Sequence, residues 1–167
     1  LHEISFDAVI RNNLVKFNHP TLGSVYDAAQ IMISSSSNVE VTGNEVVMSE
    51  AGGNGIVIIQ QNRGSGGLGA YEARNNLIHD NTLVYLSDAG ESGAALSVED
   101  AEWFWDVSVN RFENNTHIVS SAEDVVFGWQ NEVRTWEEFT AFGQERDSIL
   151  STEIPVSAML VPAWNSQ

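Results

Sequence analysis

The residues best suited to chemistry lie together between positions 99 and 106. Four carboxylates flank two tryptophans there: Glu99, Asp100, Glu102 and Asp106, around Trp103-Phe-Trp105. Two carboxyl groups across a glycosidic bond hydrolyse sugars by acid–base catalysis, and flat aromatic rings stack on sugar faces. We therefore take Glu99 and Asp100 as candidate catalytic residues, and Trp103, Trp105, Glu102 and Asp106 as candidate substrate-binding residues. The alternative is an acidic corner whose rings pack against a neighbouring element.

His79 is a further candidate catalytic residue, as a general base, because an imidazole titrates near neutral pH. Asp80 follows it in the chain. Adjacent strand residues point to opposite faces, so the two side chains need not form a pair. An exposed polar corner is the alternative for this dipeptide. His2, His19 and His117 show no metal-ligand spacing, which argues against a zinc site.

Composition narrows the class of partner. The 167 residues carry a formal net charge of -16, with seven Lys and Arg residues. We expect neither nucleic acid nor an anionic membrane as a partner, because both require clustered cations. No apolar run approaches the roughly 20 residues of a membrane-spanning helix. Cations, basic partners or neutral sugars suit such a surface better.

The scaffold that must position these residues is a repeat. Asparagines recur at spacings of 31, 32 and 34 residues, at Asn13, Asn44, Asn76 and Asn110. A second polar series follows five positions later, at Asn18, Ser49, Asn81 and Asn115. A period of roughly 20 to 50 residues indicates a solenoid. Between the asparagines, short segments rich in branched residues, such as 55–59 and 107–109, are typical of strands.

Three short strands per period predict an all-β fold, a right-handed parallel β-helix of about four to five coils. Stacked coils bring like residues into register about 4.8 Å apart, so the corner asparagines are expected to form structural amide ladders. The coils are expected over residues 1–134. Residues 135–167 are expected to form a C-terminal capping segment and tail, with a short helix around Trp136 and Phe139 that ends at Gly143.

The period is interrupted at two places, residues 60–70 and residues 99–105. Insertions in a solenoid form loops on one face, which is often the binding face. The glycine-rich stretch 63–69 lacks the Lys and the helix of a phosphate-binding loop, and we expect it to be flexible. The two interruptions are therefore the predicted working surface.

The closing run Trp136-Glu-Glu-Phe-Thr-Ala-Phe-Gly-Gln-Glu-Arg-Asp-Ser148 follows the asparagine-centred coils. Together they resemble the C-terminal part of secreted right-handed parallel β-helix proteins of the pectate-lyase-like superfamily. Gly143, Gln144 and Ser148 match the usual Gly-Gln-Asp-x-x-Ser ending, and Glu145 stands where Asp is usual. The resemblance implies a secreted or cell-surface protein that binds a polysaccharide or acts on it, as a lyase or glycoside hydrolase.

Two further expectations follow from the resemblance. Lyases of this kind often use Ca²⁺ held by carboxylates, so Ca²⁺ is the cofactor it implies for an elimination reaction. The superfamily also holds non-catalytic members, so the alternative is a structural, adhesin or assembly module.

The N-terminal end departs from the pattern of the superfamily. Such domains normally begin with a cap and several more coils, whereas Ile4-Ser-Phe-Asp-Ala-Val-Ile10 already reads as part of a coil. We therefore expect an open N-terminal end that continues upstream or is covered by another chain, because unpaired strand edges favour association. The expected partners are a polysaccharide, and either the N-terminal remainder of the protein or a second chain.

Overall fold

The computed structural model describes residues 2–18, 29–88, 90–98, 101–124 and 126–159. It is an all-β parallel solenoid of about four turns, which confirms the predicted fold class. Its strands are β1 (His2–Glu3), β2 (Val9–Arg11), β3 (Leu14–Lys16), β4 (Ala29–Ser34), β5 (Glu40–Thr42), β6 (Glu45–Met48), β7 (Asn54–Gln60), β8 (Ser65–Gly66), β9 (Gly69–Ala70), β10 (Asn76–His79), β11 (Thr82–Tyr85), β12 (Ser92–Leu96), β13 (Asn110–Glu113), β14 (Thr116–Ile118), β15 (Phe127–Trp129), β16 (Glu132–Arg134) and β17 (Ile149–Ser151). Its helical segments are a 3₁₀ turn (Glu102–Trp105), α1 (Trp136–Ala141) and α2 (Val156–Met159).

Three sheets form the walls of the solenoid. The first wall has the order β1-β4-β7-β12-β15, with β16 antiparallel at its end. The second wall is β2-β5-β10-β13, and the third is β3-β6-β11-β14-β17. Alternate side chains of each strand point into the core, so that Val41, Val46 and Ile58, one from each wall, are 0 % exposed. No helix among the described residues has the length and apolar character needed to cross a membrane.

A left-handed residue turns the chain from the second wall to the third in successive coils. Asn12, Gly43, Asp80 and Asn114 have φ angles of 56°, 64°, 54° and 53°. Glycine adopts this region freely, and Asn and Asp are the other residues that tolerate it best. Asn, Asp and Gly therefore recur at these corners because the backbone there must adopt a left-handed conformation.

The asparagines are structural, as expected, but the predicted register is wrong. Hydrogen bonds join Asn13, Asn44, Asn81 and Asn115 in one column, with spacings of 31, 37 and 34 residues. Asn76 pairs with Asn110 in a different column, where Asn76 Oδ1 accepts from the N–H of Val39. The insertion at 60–70 lengthens the coil between Asn44 and Asn81 to 37 residues. Because the prediction assumed a nearly constant period, it placed the ladder positions of the later coils five residues too early.

The segment after residue 134 covers the last coil and also continues the solenoid. A capping box starts α1: Thr135 Oγ1 accepts from the Glu138 N–H, and the Glu138 carboxylate accepts from the Thr135 N–H. Phe139 on this helix is 1 % exposed and stacks on Phe127, with ring centroids 5.2 Å apart. β17 then pairs in parallel with β14, which adds one more strand to the third wall beyond residue 134.

A buried carboxylate closes the asparagine column at its C-terminal end. Glu145 is 3 % exposed. Its Oε2 accepts from Asn115 Nδ2 at 3.0 Å and from Ser148 Oγ at 2.5 Å, while Oε1 lies 2.8 Å from His117 Nε2. Burial alone would raise the pKa of Glu145, but His117 and the hydrogen bonds outweigh it and hold that pKa below its usual value.

Candidate functional site

The two interruptions of the repeat meet in space. A pocket of about 240 Å³ lies between them, lined on one side by residues 60–64 and 70–72 and on the other by Val98, Ala101 and Trp103. The first group follows β7 and the second follows β12, and these strands are neighbours in the first wall. Because β7 and β12 are parallel neighbours, the segments that follow their carboxyl ends start side by side.

A small hairpin connects the two lining segments 60–64 and 70–72. β8 and β9 pair antiparallel, and the N–H of Tyr71 donates to the carbonyl of Gly64 at 2.9 Å. A Cβ atom on Gly66 would lie 2.1 Å from the Tyr71 hydroxyl oxygen, so glycine is what lets this ring lie against the hairpin. The stretch expected to be flexible thus has regular structure.

The base of the hairpin is fixed to the wall by Gln60, which is 5 % exposed. Its Nε2 donates to the carbonyl of Gln61 at 2.8 Å, and its Oε1 accepts from the N–H of Ala73 at 2.6 Å. The side chain therefore ties the start of the insertion to Ala73, three positions beyond its end. A pocket held in this way is preformed, which lowers the ordering cost of binding.

Trp103 also lines the pocket. Its neighbour Phe104 is 0 % exposed and anchors the 3₁₀ turn in the core. The guanidinium carbon of Arg74 lies 3.5 Å from the centroid of the Trp103 ring, and Arg74 Nε is paired with the Glu72 carboxylate. A stacked and ion-paired guanidinium holds the indole in one orientation.

The other described residues of the acidic aromatic cluster do not line the pocket. Trp105 packs edge-on against Trp129 with ring centroids 5.2 Å apart. Glu102 and Asp106 are exposed. Asp106 Oδ1 accepts two hydrogen bonds from Ser108, from its backbone N–H at 2.8 Å and from its hydroxyl at 2.7 Å. Both hydrogen bonds lower the pKa of Asp106. Of the four predicted substrate-binding residues, only Trp103 lines the pocket.

The two predicted catalytic carboxylates, Glu99 and Asp100, lie outside the described residues. Their described neighbours on either side, Val98 and Ala101, both line the pocket. The catalytic assignment of this pair stays a prediction.

His79 sits between two carboxylates on the second wall. Its Nε2 lies 2.9 Å from Glu40 Oε1, and its Nδ1 lies 2.5 Å from Asp80 Oδ2. Burial alone would lower the pKa of His79, but these hydrogen bonds outweigh it and raise that pKa above its usual value. Both ring nitrogens are therefore engaged by carboxylates, and the role of His79 as a general base stays a prediction. His79 also ends β10, whereas the pocket residues on its own coil precede that strand.

Metal ligation stays an expectation. Across the described ranges, no group of three or more His, Asp or Glu side chains is arranged to hold a metal ion. The Ca²⁺ that the resemblance implies therefore has no assigned ligands.

In comparisons with known proteins, no family model matches the chain, and neither curated proteins nor solved structures give a significant match.

Proposed function

We propose that the protein is a secreted or cell-surface β-solenoid that binds a polysaccharide in the pocket between residues 60–72 and 98–103. One observation carries the proposal: both interruptions of the repeat converge on one preformed pocket beside an indole ring. Residues 62–70 are all exposed and add nothing to the core, and an insertion of this kind that meets a second one is typical of a binding face.

The side chains around the pocket suit a sugar. The Arg74 guanidinium lies over one face of the Trp103 ring, so a sugar would stack on the other face. Gln61 Oε1 already accepts from Ser34 and Arg63, so Gln61 would act on sugar hydroxyls through its Nε2 donors, whereas the amide of Asn62 carries both donors and an acceptor. The volume of about 240 Å³ is below the roughly 300–1,000 Å³ of most small-molecule sites. The pocket therefore suits one sugar ring of a longer chain.

The charges around the pocket favour a neutral or singly acidic sugar. Glu72 balances Arg74, and Arg63 adds one positive charge to the lining. Multiply charged anions fit poorly, because the whole chain carries a net charge of -16.

Polysaccharide cleavage is a second candidate function. It is favoured by the position of Glu99 and Asp100 in the chain, between two residues that line the pocket. A hydrolase or lyase would use such carboxylates as acid and base on a sugar held against Trp103.

The test is a screen of neutral and acidic polysaccharides by affinity gel electrophoresis and calorimetry, with and without Ca²⁺. We expect at least one polysaccharide to bind, and Trp103→Ala to weaken its affinity at least tenfold. Leu68→Ala is the matched control, because Leu68 is 75 % exposed on the same hairpin and does not line the pocket. The control should bind like the wild type.

Failure of every polysaccharide to bind, or equal binding by both variants, would refute the pocket assignment. Reducing ends and unsaturated-product absorbance are read in the same screen. Product that disappears in Glu99→Gln or Asp100→Asn would support cleavage, whereas binding without product would leave the protein a binding module.

A further inference from the structure

The first coil exposes an edge that the later coils bury. Among the described residues, β1, β2 and β3 each pair on one side only. Ile10 is half-buried, whereas Val41, its partner in the next coil, is 0 % exposed. Val9 and Leu14 on the same coil are 55 % and 60 % exposed. We call residues 4–16 the N-terminal face.

The buried asparagine column has a direction. Asn13 Nδ2 donates to Asn44 Oδ1 at 2.9 Å, and Asn44 Nδ2 donates to Asn81 Oδ1 at 2.9 Å. Asn81 Nδ2 donates in turn to Asn115 Oδ1 at 3.1 Å. Along the column, each amide oxygen therefore accepts from the asparagine of the preceding coil, and each Nδ2 donates to the asparagine oxygen of the following coil.

Both polar columns that reach the N-terminal face end there in oxygen atoms. Within the part of the chain that the structure describes, nothing donates to Asn13 Oδ1. An exposed column runs the other way: Asn75 Nδ2 donates to Asn38 Oδ1 at 3.1 Å, and Asn38 Nδ2 donates to Asp7 Oδ1 at 2.8 Å. The N-terminal face thus presents two hydrogen-bond acceptors, the Asn13 amide oxygen and the Asp7 carboxylate, and a partner that binds there must supply hydrogen-bond donors.

We propose that the N-terminal face docks a further parallel β-solenoid coil that carries an amide side chain at its corner. The occupant continues the walls beyond β2 and β3 by parallel strand pairing, covers Ile10, and donates its corner N–H groups to Asn13 Oδ1. Strand addition to an open edge supplies backbone hydrogen bonds, and the matched corner amide selects the partner.

A second copy of the N-terminal face does not meet these requirements. Two such faces related by a two-fold axis would each present the same acceptors, Asn13 Oδ1 and the Asp7 carboxylate, in place of the corner amide N–H that the column uses. Facing acceptors and like charges are unfavourable. The C-terminal end of another copy fails as well, because its column closes on the buried carboxylate of Glu145.

The test tethers a candidate coil to the protein. The probe is a copy of residues 38–49, which hold two strands around the corner Gly43-Asn44, joined to Leu1 by a flexible Gly/Ser linker. The tether gives an effective concentration of roughly millimolar. We expect a monomer whose amide hydrogen exchange in β2 and β3 is slowed at least tenfold, and whose urea midpoint is raised.

The matched control carries Asn44→Asp within the tethered copy, because a carboxylate offers no N–H to Asn13 Oδ1. We expect it to lose most of the protection. Equal protection by both probes, or none by the asparagine probe, would overturn the proposal. So would a homodimer of the untethered protein, seen by light scattering, in which β2 and β3 are protected. Polysaccharide binding is measured on the same fusions, so failure of the docking proposal is distinguishable from failure of the pocket.

Discussion

Replacing Asn81 with alanine tests the physical basis of the solenoid in energetic terms. Asn81 is 1 % exposed. Its Oδ1 accepts from the N–H and Nδ2 of Asn44 at 3.0 and 2.9 Å. Its Nδ2 donates to the carbonyls of Val41 and His79, both at 2.9 Å, and to Asn115 Oδ1 at 3.1 Å. The substitution removes all of these hydrogen bonds at once.

The cost follows from which groups are left without a partner. The N–H of Asn44 loses the acceptor that Asn81 provides, whereas Asn44 Nδ2 keeps the carbonyls of Ile10 and Thr42. A buried group left unpaired costs about 1–3 kcal/mol, and the lost carbonyl contacts add to this. We expect the free energy of unfolding to fall by about 3–5 kcal/mol, which lowers Tm by about 10 °C for a chain of this size.

Urea unfolding followed by circular dichroism measures this loss, and Asn13→Ala is its control. Asn13 belongs to the same column but is exposed, and among the described residues its side chain bonds only to the Arg11 carbonyl and Asn44 Oδ1. We expect the control to cost less than about 1 kcal/mol. If the two variants are destabilised equally, within about 0.5 kcal/mol, burial of the ladder does not determine its contribution and the reasoning is refuted.

Three further predictions concern buried charge and the pocket. Because the pKa of Glu145 is lowered, its contribution to stability is present above the unfolded pKa, about 4.3, and is lost as pH falls through the folded value; Glu145→Gln should therefore cost more stability at pH 7 than at pH 3 in urea titrations, and an equal cost at both would contradict the assignment. Burial raises the pKa of Glu91, so its ionisation opposes folding as pH rises above the unfolded value; Glu91→Gln should raise Tm at pH 8 but not at pH 4, and a lower Tm at pH 8 would count against it. Arg74→Ala removes the guanidinium stacked on Trp103 and should weaken polysaccharide affinity about threefold or more, with partial recovery in Arg74→Lys; unchanged affinity in calorimetry would show that the stack does not position the ring.

The fold was predictable from the sequence because corner residues repeat for backbone reasons. The Asn, Asp and Gly residues at left-handed corners and the branched residues between them are local signals, and each coil carries them. The register was not predictable by counting, because an insertion adds residues to one turn without changing the walls. A better signal lay in the dipeptides Asn12-Asn13, Gly43-Asn44, Asp80-Asn81 and Asn114-Asn115, where a left-handed residue precedes each ladder asparagine.

The location of the candidate site was predictable, but most of its side chains were not. Interruptions of the repeat indicated both segments, and Trp103 stood out by type. Tyr71 and Arg74 were missed. The role of Arg74 depends on its contact with Trp103, 29 residues away, which no local pattern reports, and that of Tyr71 depends on the conformation of the hairpin. The buried pair of His117 and Glu145 was missed for the same reason; a His at a core-facing strand position was its only signal.

The central claim is that the two interruptions form one polysaccharide-binding pocket. A crystal structure of the protein with an oligosaccharide from the polysaccharide selected in the screen tests this claim most directly. The account predicts one sugar ring in contact with residues 60–64 or 70–72 and with the indole of Trp103, with hydroxyls in contact with Gln61 or Asn62. An oligosaccharide bound along another face of the solenoid, with this pocket empty, would contradict it.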